Sequence, residues 1–169
     1  MTMRRRHGSA GQTLVEFALV APIFFALMFG MVDLGRVIWA NNAIANGARE
    51  AARFAIVHGG SAANRCPVGP PGPDTQDVPA SVTCPHPSPS KEAVRDVARG
   101  QAFAAGGDVV VQVCYGAGCT GDTDAPDATN VRGTPVTVTV ISNVGLMTGA
   151  LAGWPAFSLS SSSTMLVNH

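Results

Sequence analysis

Charge is scarce in this sequence: Asp, Glu, Lys and Arg make up only 13% of its 169 residues, and the two signs balance at 11 each. No global field exists to draw in nucleic acid or another charged polymer, so neither is an expected partner. Catalytic signatures are missing as well. There is no P-loop and no G-x-S-x-G elbow around Ser160 to Ser163, and no motif links His7, His58, His86 or His169 to a nucleophile. The chain is therefore not expected to be an enzyme or to take a small-molecule substrate. The four cysteines, Cys66, Cys84, Cys114 and Cys119, lack the paired C-x-x-C knuckles of a zinc site, and neither His58 nor His86 completes a ligand pattern. Asp122, Asp124 and Asp127 crowd one short turn, but without the sharp-turn glycine and twelfth-position glutamate of an EF-hand they read as a polar turn. No metal and no cofactor are expected, and no internal repeat is visible.

One long apolar run stands out against this background. Leu14 to Val32 reads LVEFALVAPIFFALMFGMV, 19 residues with Glu16 as their one charge. As a helix it rises about 28 Å, enough for the hydrocarbon core of a bilayer. A cleaved secretory signal fits less well, because the run exceeds the usual h-region of roughly 7 to 15 residues. The nearest A-x-A imitation, Ala43-Ile44-Ala45, also lies far beyond its end. Arg4, Arg5 and Arg6 precede the run, and cations on that side hold it in the cytoplasm, which puts everything after about Asp33 outside. All four cysteines fall on the outer side, where an oxidising compartment favours disulfides. Three pairings are open; joining nearest neighbours, Cys66 with Cys84 and Cys114 with Cys119, is the simplest.

Glu16 is the anomaly of the run. A carboxylate one turn into an apolar helix costs roughly 2 to 3 kcal/mol on insertion scales, so it calls for a partner and a task. The preceding residues suggest both. Cutting after Gly11 creates an amino terminus at Gln12 with Glu16 as the fifth mature residue, the arrangement of type IV prepilins. Glycine before the cut leaves the backbone open to a protease. Once cut, the amine of one subunit and the Glu16 carboxylate of another can neutralise each other in a low-dielectric bundle.

The residues around this junction resemble a known family. Gly11-Gln12-Thr13-Leu14-Val15-Glu16-Phe17-Ala18-Leu19-Val20, then Pro22, Gly30, Asp33, Gly35-Arg36 and Gly47-Ala48-Arg49-Glu50-Ala51-Ala52-Arg53-Phe54-Ala55, are similar to the TadE-like pseudopilins of the tight-adherence (Flp) pilus and secretion system. The resemblance covers about the first 56 residues. It implies cleavage by a prepilin peptidase at Gly11 and Gln12, with Glu16 and Phe17 at assembly contacts. It also implies residence in the bacterial inner membrane among its lipid, and work beside other pilin subunits and the assembly platform in building or priming the fibre. The major pilin of that system is far shorter, so size points to a minor pilin. Pro135 to Val140 and the ending from Phe157 through Met165 look like strands common in such proteins, whereas the Pro-rich stretch and the cysteines depart from the family's pattern.

Five segments follow: a leader over 1–11, a transmembrane helix over 12–33, its helical extension over 34–58, a Pro/Gly-rich loop over 59–90 and an extracytoplasmic α+β region over 91–169. In the extension, Ile38, Ala45, Ala48, Ala52, Phe54 and Ala55 are available for packing, and Gly59-Gly60 ends the helix. Asp33 and Arg36, three apart, can pair where the helix leaves the membrane, and Arg49 and Arg53 form a basic stripe. A Cys66–Cys84 bridge would tie down the long loop. A short helix is expected over 91–105 with Ser90 as its cap, packing through Val94, Val97, Ala98 and Ala102. Strands are expected over 109–114, 135–141 and 157–167, and a Cys114–Cys119 bridge would close the Tyr115 to Gly118 turn. The sum is an α+β, pilin-like fold with a long N-terminal helix, a shorter helix and an antiparallel sheet of three or four strands. A rival reading keeps the anchor but makes the outer part a tethered binding module never processed as a pilin.

Overall fold

The computed structural model describes residues 10–62, 65–106, 108–153 and 155–168. The Arg4 to Arg6 cluster, His7 and His169 lie outside the described residues. Helix α1 spans Ala10–Val57 without a break, 48 residues and about 72 Å at the ordinary rise. Pro22 sits inside it, in the apolar half, where a missing backbone donor is tolerated. The two halves of α1 differ in what covers them. From Gly11 to Val32 its residues are exposed, apart from the half-buried Ala21 and Phe29. From Ala40 onward one stripe is buried: Ala40, Ala43, Ile44, Ala48, Ala51, Ala52 and Ala55. Those positions recur every three or four residues, so they fall on a single face. Alanine also has the strongest helix propensity, so the same residues form the helix and keep its packing surface flat.

Helix α2 (Glu92–Ala102) lies on that face, burying Val94, Ala98 and Ala102. Gly47 sets the approach: a Cβ added there would meet the Ala98 carbonyl oxygen at 3.0 Å and the Ala102 methyl at 3.3 Å. A 3₁₀ turn, Phe103–Ala105, continues α2. Strands β1 (Val109–Tyr115), β2 (Pro135–Val144) and β3 (Phe157–Leu166) then form one antiparallel sheet in the order β1-β2-β3. Between β2 and β3 the chain makes a further helix, α3 (Met147–Ala152). The architecture is α+β.

The sheet follows from the period-two pattern of β2. Val136, Val138 and Val140 point to the core and are fully buried, and each contributes on the order of 1.5 to 3 kcal/mol by leaving water. Val138 stands opposite Val113 on β1 and Ser163 on β3, and Val140 opposite Val111 and Ser161. Leu159 and Met165 pack at the margin of the same core. On the outer face Thr137 and Thr164 are register partners whose hydroxyls lie 2.8 Å apart, a cross-strand hydrogen bond.

Three local expectations are corrected. Ile38 is 55% exposed, because it lies on the opposite side of α1 from the alanine stripe. Ser90 does not cap α2: Lys91 occupies the cap without a side-chain bond, while the Ser90 carbonyl accepts the Gly69 N–H at 3.2 Å in a bridge to the loop. The stretch expected as one helix over 91–105 tightens into the 3₁₀ turn for its last three residues.

Candidate functional site

The sequence directs attention to α1, and its geometry divides into three zones. In the first, Gly11, Gln12, Glu16 and Phe17 are all exposed. Gln12 and Glu16 are four residues apart, which puts both on one side of the helix. Around them Leu14, Val15, Phe17, Leu19 and Val20 also face outward. Among the described residues α1 is the one helix long and apolar enough to cross a membrane.

The second zone lies around Asp33, where the apolar run ends. Arg36 Nη1 lies 3.9 Å from Asp33 Oδ1, a loose ion pair. Much closer partners come from the far end of the sequence. Asp33 Oδ1 accepts the Met147 N–H at 2.9 Å, and Oδ2 accepts the Thr148 N–H at 2.8 Å and the Thr148 hydroxyl at 2.6 Å. The residue is only 4% exposed. Asp33 therefore satisfies the first two of the orphan backbone donors that open α3. Sequence reasoning assigned Asp33 to Arg36 and missed α3, whose six residues carry neither a proline nor a charged signal.

The third zone is the outer end. The long loop is bridged by Cys66–Cys84, with 5.7 Å between Cα atoms, and the turn after β1 by Cys114–Cys119, with 5.8 Å. Asn130 provides a second anchor. Its side chain donates to the Val68 carbonyl at 3.1 Å and accepts the Thr75 hydroxyl at 2.6 Å, and its own carbonyl accepts the Gly60 N–H at 2.8 Å. At the end of α1, His58 stacks on Phe54 at 3.9 Å between ring centroids and donates from Nδ1 to the Phe54 carbonyl at 2.8 Å. His86 meets Asp96 at 2.6 Å, tying the loop to α2, and that hydrogen bond holds the Asp96 carboxyl below the usual aspartate range.

The acidic turn is occupied in protecting an edge. β1 ends the sheet on one side, and two of its outward donors are taken by side chains: Asp122 accepts the Val113 N–H at 2.9 Å and Asp124 the Tyr115 N–H at 2.8 Å. Arg95 bonds both Glu92 and Asp122, and Lys91 Nζ sits 2.8 Å from Asp124. Burial alone would raise the Asp122 pKa; the Arg95 guanidinium and the Val113 N–H outweigh it and hold it below the ordinary 3.8. Asp122 and Asp124 thus act as a surrogate neighbouring strand. Among the described residues no group of three or more His, Cys, Asp or Glu side chains could hold a metal ion. His58, His86 and Ser160 to Ser163 belong to three different elements, the helix end, the Pro-rich loop and β3, and His86 is engaged by Asp96.

Residues 11–53 match the family model described as TadE-like protein. That stretch runs from Gly11 through Asp33 to Arg53, so the match covers the apolar half of α1 and most of its buried stripe. No curated protein and no solved structure matches the chain.

Proposed function

We propose that this chain, TadE-like over residues 11–53, is a minor pilin of a bacterial tight-adherence pilus that assembles through its bare N-terminal helix. In this reading a prepilin peptidase cuts after Gly11, the basic leader stays with the cytoplasm, and α1 holds the mature subunit in the inner membrane with its α+β domain outside. Gln12 supplies the new amine. Glu16 of one subunit then meets the amine of a neighbour, and the apolar side chains beside it, Phe17 among them, pack helix against helix. Other pilin subunits and the assembly platform are the partners, and assembly or priming of the fibre is the task.

The observation that carries the reading is the coincidence of the family match with the unburied half of α1. A single apolar anchor needs no glutamate and no particular junction. A helix that must first sit in lipid and then find a second helix has a use for both. The role is structural: the cut after Gly11 is performed on the chain by another protein.

Mass spectrometry of the protein isolated from cells with the processing enzyme tests this directly. A mature end at Gln12, and loss of processing in Gly11→Leu, are the expected results. An intact Met1 end in wild type would favour the tethered binding module.

A further inference from the structure

We infer that the base of the extracytoplasmic domain is a second membrane contact, a collar of apolar side chains around the α1 exit that rests in the lipid headgroup layer. This rests on the anchor reading above and adds a surface to it.

Exposed apolar residues are unevenly placed. Past residue 33, the large exposed apolar side chains among the described residues are Leu34, Ile38 and Trp39 on α1, then Phe103, Val110, Met147, Phe157 and Leu166. Leu166 pairs with Pro135, at the end of the sheet away from the exit. The others gather at the near end. Val110 is the second residue of β1, and Phe157 opens β3 opposite Val144, the last residue of β2. Met147, three residues past Val144, opens α3 and is held to Asp33 by its N–H. Phe103, 86% exposed, opens the 3₁₀ turn, whose Ala104 and Ala105 line a cleft with Val32, Gly35, Arg36 and Trp39. Two separate connections, the 3₁₀ turn and the β2–β3 link, thus arrive at the level where the apolar span ends.

Charge follows the same division. From Gly133 to Asn168 there is no Asp, Glu, Lys or Arg, so β2, α3 and β3 bring no ion toward the bilayer. Asp33 is shut in by Met147 and Thr148, while Asp108, two residues before Val110, is exposed and stays among the polar headgroups. Arg36 and Trp39, both exposed, are of the types that sit at headgroup level with an apolar body and a polar tip. In water the exposed Phe103 and Phe157 would gain nothing, whereas in the interface they bury against acyl chains. Continuity with the span, which fixes these groups at the depth of the bilayer surface, selects lipid as the occupant.

Tryptophan quenching in proteoliposomes tests the collar. The full chain, carrying Trp39→Phe and Trp154→Phe, is reconstituted in phosphatidylethanolamine and phosphatidylglycerol brominated at acyl carbons near the headgroup, with one probe at a time: Phe103→Trp, Leu166→Trp or Phe29→Trp. The Phe103→Trp probe is expected to lose about half its emission relative to unbrominated vesicles, the depth expected of an interfacial residue, while Leu166→Trp is unchanged. Quenching of Phe29→Trp with a bright, acrylamide-accessible Phe103→Trp overturns the collar and leaves the anchor standing. Shielding of Phe103→Trp from acrylamide without bromine quenching also overturns it, in favour of cover by a second copy. An unquenched Phe29→Trp removes the anchor reading and the collar with it.

Discussion

Asp33 and Thr148, 115 residues apart in sequence, are joined by two hydrogen bonds to one carboxylate oxygen: the Thr148 N–H at 2.8 Å and its hydroxyl at 2.6 Å. With the Met147 N–H on the other oxygen, α1 holds the start of the β2–β3 connection. The arrangement has the chemistry of a helix N-cap, except that the cap comes from a different part of the chain.

Removing that acceptor should release α3 while leaving the sheet intact. In Asp33→Ala, amide exchange at Met147 and Thr148 is expected to accelerate roughly tenfold or more, as befits loss of charge-assisted bonds. Asp33→Asn keeps one acceptor oxygen, so its exchange should fall between wild type and Ala. Unchanged protection at both amides in Asp33→Ala would show that α3 holds itself.

Gly69 and Tyr115 make a second long-range contact with a clear consequence. Gly69 has φ +88°, and a Cβ there would lie 2.5 Å from Tyr115 Cζ, against a ring that is fully buried. Gly69→Ala combines a left-handed backbone with a clash, and should destabilise the protein by about 2 kcal/mol or more in denaturant titration. Tyr115→Phe should behave oppositely. The Tyr115 hydroxyl is buried with no hydrogen-bond partner among the described residues, and burial followed by the nearby Asp124 pushes its pKa upward. Deleting a hydroxyl that makes no bond should leave stability equal or higher by up to about 1 kcal/mol. A clear loss in Tyr115→Phe would contradict the orphan geometry.

Much of the fold was legible because its signals are local. The period-two run of β2 and the apolar run of α1 each specify an element without reference to the rest of the chain. The alanine stripe was only partly legible: Ala48, Ala52 and Ala55 were named, whereas Ile38 was placed on the wrong side because it lies within four successive apolar residues, Val37 to Ala40, that occupy every side of the helix. What escaped is what depends on distant partners. Asn130, fully buried, is one asparagine in a polar loop until Gly60, Val68 and Thr75 converge on it. Asp122 and Asp124 drew attention as possible cation ligands, yet their spacing fits the alternating donors of Val113 and Tyr115, a relation that exists only once β1 is known to be an edge. At the start of α1, Gly11, Gln12, Glu16 and Phe17 were readable in order from the junction motif alone.

The edge-capping role of Asp122 predicts an acid response. Its folded-state pKa is below the ordinary 3.8, so between those two values the unfolded state binds more protons and stability rises with pH. The contribution is complete above about pH 5 and is lost as the pH falls through 3.8 toward the folded value. Because nearly half the side chain is exposed, the amount is about 1 kcal/mol or less. Asp122→Asn keeps an acceptor for Val113 but drops the charge facing Arg95, so its stability curve should be flatter below pH 5. The remaining slope comes partly from Asp96, whose pKa is lowered by His86. A curve identical to wild type would show that the Arg95 pair contributes nothing.

Glu16 provides the most direct separation of anchoring from assembly. In a lone anchor the carboxylate opposes insertion, so Glu16→Ala should insert at least as well as wild type in a membrane-fractionation assay. In a fibre the same change leaves the neighbour's amine without its counter-charge inside an apolar bundle, where an unpaired ion is strongly unfavourable. Incorporation into sheared pili is therefore expected to fall about tenfold or more while processing at Gly11 continues. Glu16→Gln distinguishes charge from shape: it keeps the size and hydrogen-bonding capacity of the side chain, so recovery by Gln would point to packing, whereas a defect equal to that of Ala points to the ion pair. Wild-type incorporation by both variants would remove Glu16 from the assembly contact and leave the exposed apolar face of α1, with Phe17, as the part that joins subunits.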